Sequence, residues 1–183
     1  MRPSPVQPRI LSSERIPTMN LLLTAAILLA TLSAPPQDKP AAQDDHHQGV
    51  VERGDHVMGF SHDRATHHFF LYPDGGAIDV QANKTDDSAT LDEIRMHFDH
   101  IARMFAAGDF SAPMLIHSQN PPGAETMKRL REAIQYKLEN TEHGARIRIT
   151  TKNGEAIAAV HEFLRFQIKD HQTGDSSEVK SAP

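Results

Sequence analysis

Hydrophobic and polar positions change period along this chain, and the changes mark its elements. From 66 to 72 the residues are β-branched, aromatic or histidine, which predicts a strand. Asp74-Gly75-Gly76 is a hairpin turn signal. From 77 to 82, Ile78 and Val80 alternate with Asp79 and Gln81, predicting a return strand with the aliphatic pair inward. Leu91, Ile94, Phe98, Ile101 and Phe105 then recur at helical spacing. They predict a helix capped by Ser88 or Thr90, running to about Ala107 and stopped by Gly108.

The same order returns in the second half. Ile134, Tyr136 and Leu138 alternate, Glu142-His143-Gly144 makes a turn, and Ile147 and Ile149 alternate again. Asn153-Gly154 precedes a helix with Ile157, Val160, Leu164 and Ile168 on one face, which stops near Gly174-Asp175. Both halves read strand, turn, strand, helix. Two ββα units predict an α+β fold, an antiparallel sheet with helices packed on one face. The link between them holds the apolar run Met114 to Ile116 and then a short helix through Leu130. Ahead of the first hairpin, 46–57 predicts another short helix ended by Gly59.

Leu21 to Leu32 is apolar and uncharged. It is too short for a bilayer span, which takes about twenty residues, and matches the core of a secretory signal. Arg2, Arg9 and Arg15 lie upstream, and Met19 directly before the run offers a later start. The expected plan is a signal peptide at 1–34, of which 1–18 is an over-extended start, and a flexible leader at 35–45. A single α+β domain at 46–172 and a disordered tail at 173–183 follow. An uncleaved anchor is the alternative to cleavage. With cleavage, no stable membrane span remains and the protein is periplasmic or secreted.

Composition then narrows the chemistry. The chain has twelve histidines and no cysteine. Thiol catalysis, cysteine-ligated iron–sulfur clusters and disulfide staples are excluded, and imidazole is the abundant polar group. A net charge of −5 argues against a nucleic-acid partner, and no phosphate-cradling glycine loop is present. On the first long helix, Glu93, His97, His100 and Met104 share a stripe beside the apolar face. His56, Met58, His62, His67 and His68 cluster within thirteen residues. In a strand, His67 and His68 point to opposite faces, so at most one joins the helix-covered side.

These residues predict a metal-binding or metal-handling protein with copper ahead of zinc, since thioether is a soft ligand. The expected ligands are His97 and His100, with His62, His67 or His68 from the hairpin region and Met58 and Met104 as secondary ligands. No catalytic residue is assigned. One alternative is a metal-free interaction or self-association module, a homodimer through a face with Phe163 and Phe166, which fall off the core stripe of the last helix. Another is a metal-assisted hydrolase, with His67 or His68, His97 and a carboxylate such as Glu93 in one pocket. His171 near the end of the last helix is expected to be structural, protonated against the helix dipole.

The runs Gly54-Asp55-His56-Val57-Met58-Gly59-Phe60, Thr66-His67-His68-Phe69, Asp74-Gly75-Gly76 and Phe163-Leu164-Arg165-Phe166-Gln167-Ile168, with His171 and Thr173-Gly174-Asp175, carry a resemblance. Over most of the chain after the leader, it resembles a family of small exported bacterial proteins of unsettled function. Some members bear the label aspartate carbamoyltransferase. The residues do not support that activity. The Ser-Thr-Arg-Thr-Arg loop that binds carbamoyl phosphate in true transferases is missing, and no basic helix N-terminus replaces it.

Overall fold

Two hairpins supply the sheet. Strand β1 (Ala65–Tyr72) pairs antiparallel with β2 (Gly75–Ala82), and β3 (Ile134–Asn140) with β4 (Gly144–Thr151). The computed structural model describes residues 41–182, so the signal-peptide reading of 1–34 and the first part of the leader lie outside the described residues. The hairpins join through β2 and β4, which gives the antiparallel order β1-β2-β4-β3. Five helices accompany the sheet among the described residues: α1 (Ala41–Met58), α2 (Ser88–Ala106), α3 (Ser111–His117), α4 (Ala124–Arg129) and α5 (Gly154–Asp170). The fold is α+β, as the pattern predicts. Among the described residues no helix is long and apolar enough to cross a membrane.

Each long helix crosses to the other hairpin. Helix α2 follows β2 yet packs mainly over β3 and β4, while α5 follows β4 and packs mainly over β1 and β2. They touch through Phe105 and Phe163, whose rings meet edge to face at 5.9 Å. Phe163 is only 1% exposed and also meets Phe110. Phe163 is therefore a core residue of the single chain, while Phe166, half-buried, sets its ring edge to face with His117 at 4.9 Å. The second buried side of α5 is covered from within the chain, with α4 beside it and Gly123 against the Ala159 carbonyl.

The helix ends show what sequence reading misplaces. Asp87 caps α2 in place of Ser88 or Thr90; its carboxylate accepts from the Thr90 backbone N–H at 3.1 Å and hydroxyl at 2.7 Å. Asn153 caps α5 as its position suggests, accepting from the N–H groups of Glu155 and Ala156. Helix α5 stops at Asp170, before Gly174, because Gln172 takes a left-handed φ of 52° and Thr173 N–H turns back to the Ile168 carbonyl. Gly108, at φ 79°, ends α2 as expected.

Both flanks are more ordered than composition suggests. The leader's last residues, 41–45, already belong to α1. His46 Nε2 reaches Asp170 Oδ1 at 3.0 Å, and Arg53 Nε donates to the Ile116 carbonyl at 2.8 Å. The tail lies along β1: Asp175 accepts from Phe69 N–H, Lys180 N–H donates to the Leu71 carbonyl, and Val179 forms a parallel bridge with Leu71. Fraying is expected of a polar terminus, and these backbone bonds to an otherwise open strand edge prevent it.

Asp79 faces outward on β2, yet it is only 1% exposed, because Arg146 on β4 lies over it with Nε at 3.0 Å and Nη2 at 2.7 Å from Oδ2. Removing one member of such a pair leaves a buried charge uncompensated. Arg146→Met is expected to lower unfolding free energy by about 3–5 kcal/mol in urea titrations. A loss below about 1 kcal/mol would mean that solvent reaches the carboxylate.

Candidate functional site

Where α2 and α5 diverge above the sheet, a cavity of about 70 Å³ remains. Its floor is His67 and Phe69 of β1, Ile78 of β2 and Ile147 of β4. His97, Phe98, Ile101 and Phe105 of α2 form one wall. Phe163, Gln167 and His171 of α5 and its C-terminal cap form the other. Ala112, Pro113, Ile116 and His117 of α3 and Met58 at the end of α1 close it. Strand period places His67 here: Ala65, His67, Phe69 and Leu71 share the helix-covered face. Among the described residues, no Asp, Glu, Arg or Lys lines the cavity.

Four imidazoles from four elements reach this space. His67 and His171 stack nearly parallel, 6° apart in plane with centroids at 5.7 Å. His171 meets His117 edge-on at 4.9 Å. Phe60 lies nearly parallel to His67 (17°) and nearly perpendicular to His97 (84°), so those two imidazole planes are steeply inclined to each other. His117 is hydrogen-bonded through both ring nitrogens, Nδ1 to Asp170 Oδ2 at 2.5 Å and Nε2 to Gln167 Oε1 at 2.9 Å. The rings of His67, His97 and His171 make stacking and edge contacts but no hydrogen bond among the described residues.

Burial sets their charge. Desolvation lowers His67 from 6.5 to about 4, helped by His97 and His68 and opposed weakly by Asp55. Desolvation also brings His97 to about 4, with His100 adding to the shift. His171 is held well below 6.5 by burial and then by His67, His117 and His47. The expectation of a protonated His171 serving the helix dipole is therefore wrong. The apolar surroundings cost a charged ring more than the helix end returns.

The expected ligands divide. Met58, His67 and His97 meet at the cavity. His100 and Met104 do not; they line an adjoining groove of about 200 Å³ with Val57 and Leu115, and His97 borders both spaces. His68 turns to the opposite sheet face, where Nδ1 lies 3.0 Å from Asp175 Oδ1. His62 lies at the surface between Asp55 and Asp63. Glu93 pairs with Arg64 at 2.9 Å, so the pocket of two histidines and a carboxylate expected for a hydrolase is not assembled. Among the described residues no group of three or more His, Asp or Glu side chains is arranged to hold a metal ion.

Three participants escape the sequence reading. His117 follows the apolar run of α3 and is 1% exposed. Gln167 and Asp170 sit one turn apart on α5. The signal was present in Gln167, an amide on the buried stripe between Leu164 and Ile168. Compared with family models, curated proteins and solved structures, the chain matches none. The functional reading therefore rests on this site alone.

A ring held near 4 when folded and near 6.5 when unfolded is protonated first in the unfolded chain as pH falls. Its contribution to stability is full above about 6.5 and is lost progressively between 6.5 and 4. The urea midpoint is expected to drop across that window, and His67→Phe to flatten the drop while keeping the stack on Phe60. Equal slopes for the two proteins would show that His67 carries none of the effect.

Proposed function

We propose that this is an exported protein that binds a soft transition-metal ion, copper(I) ahead of zinc, without turning over a substrate. Met58, His67 and His97 are the ligands. The observation that carries this reading is a thioether and two uncharged imidazoles lining one cavity, the ring nitrogens having no hydrogen-bond partner among the described residues. Imidazole binds metal in its neutral form, so a site that keeps it neutral removes proton competition. Thioether favours copper(I), and two imidazoles with one thioether fall short of the four ligands a closed zinc site takes. The inclined planes of His67 and His97 suit convergence on one ion. His171, stacked parallel to His67, does not share it in this arrangement. Export suits a chain without cysteine, and the apolar run at 21–32 supports it.

Anaerobic titration with copper(I) against a chromophoric competitor tests the reading. One ion per chain is expected. Met58→Leu and His97→Gln should each weaken binding by roughly a hundredfold, about 3 kcal/mol, whereas His62→Gln and His68→Gln leave it unchanged. Affinity should hold as pH falls to about 4, the range of His67 and His97. Release centred near 6.5, or no effect of Met58→Leu and His97→Gln, would assign the ion to surface histidines and overturn the proposal.

A further inference from the structure

His100 and Met104 are left over when Met58, His67 and His97 are taken as ligands. They stand one turn apart on α2, a spacing that sets side chains next to each other on a helix surface. Both line the groove of about 200 Å³ that adjoins the cavity. His97, one turn before His100, borders both spaces. The groove therefore presents two imidazoles and a thioether, the same donor set as the cavity, with His97 common to the two. Exposure is graded along the row: His100 is exposed, while His97 and Met104 are half-buried. The ring of His100 has no hydrogen bond or ion pair among the described residues.

We propose that His97, His100 and Met104 form an outer copper(I) site through which the ion enters and leaves the cavity. The inference rests on the metal reading of the cavity and adds the route to it. A neutral imidazole has one lone pair to give a metal, so His97 holds one ion at a time and the two sites are alternatives. Transfer inward is then a ligand exchange. The bonds from copper to His100 and Met104 break as bonds to His67 and Met58 form, and the bond to His97 persists. Copper remains copper(I) with two imidazoles and one thioether before and after. No proton has to leave, because burial already keeps the incoming His67 ring neutral. The ion is at no stage bare in an apolar space, where an uncompensated charge is costly. The outer site is the weaker of the two, since water competes with a ligand as exposed as His100.

The test is anaerobic stopped-flow transfer of copper(I) from a chromophoric complex, run beside the equilibrium titration of the same proteins. The double variant His100→Gln/Met104→Leu keeps a polar group at the surface and the half-buried volume of Met104. It is expected to slow loading and release by roughly tenfold each and so to leave their ratio, the affinity, within about threefold. Met58→Leu/His67→Phe should strand the ion outside. One copper(I) per chain still binds, several hundredfold more weakly than in the wild type, and adding His100→Gln to that variant abolishes the binding. Unchanged rates in His100→Gln/Met104→Leu would overturn the proposal. An affinity loss there as large as that of Met58→Leu would also overturn it, by making His100 and Met104 resident ligands. So would a Met58→Leu/His67→Phe chain that is folded by circular dichroism yet takes up no copper(I). These outcomes remove the route alone; a wild-type chain that binds no copper(I) at equilibrium would remove the reading of the cavity and the route with it.

Discussion

Pairing of β2 with β4, from Gly75 opposite Thr150 to Gln81 opposite Gly144, determines where everything else can lie. It places the two hairpins side by side with β1 and β3 at the edges. A helix that follows β2 or β4 then has its nearest uncovered sheet surface on the other hairpin, and α2 and α5 take those positions. Neither unit can bury its own helix alone. Each contributes the apolar stripe that the other's strands require, so the halves fold as one cooperative domain. Asp79 and Arg146 fasten the same junction from the outer face, as a cross-strand pair that a slip of register would break.

The crossing of α2 and α5 also decides where the polar residues end up. The two helices touch at Phe105 and Phe163 and diverge toward His97 and His171, and α3 with the end of α1 closes the gap. Helix α1 is held there by polar contacts: His46 and His47 against Asp170, and Arg53 against the Ile116 carbonyl. Asp170 is a shared anchor, because its second carboxylate oxygen holds His117 from α3. One carboxylate at the end of α5 thus ties down both elements that cover the cavity.

Much of this architecture was legible in the chain. Alternation at 77–82 and 134–138, the helical stripe from Leu91 to Phe105 and the glycines after α1 and α2 are local signals, and they led to a correct fold class. The opposed faces of His67 and His68 also followed from strand period alone. What could not be read was distance. The stripe of Glu93, His97, His100 and Met104 is continuous on the helix surface, but tertiary packing splits it: His97 turns toward the cavity and Glu93 to Arg64. His117 carries no local mark because its partners, Gln167 and Asp170, lie about fifty residues away. Phe163 looked surplus on its helix only because α3, α4 and Phe110 were not yet in place around it.

Nine of the twelve histidines fall into two groups by place. His46, His47, His62, His68, His117 and His161 are each tied to a carboxylate, an amide or a backbone carbonyl; His161 Nε2 donates to the carbonyls of Tyr72 and Gly75 at the hairpin turn. His67, His97 and His171 have no such bond among the described residues, and these three face one cavity with the half-bonded amide of Gln167. Phenylalanine or leucine at those positions would have filled the same space without desolvating a polar ring. Stability alone therefore gives no reason for imidazole there. Hydrogen-bonding capacity without a protein partner among the described residues, gathered from β1, α2 and α5 around one half-buried cavity, is what a binding site requires.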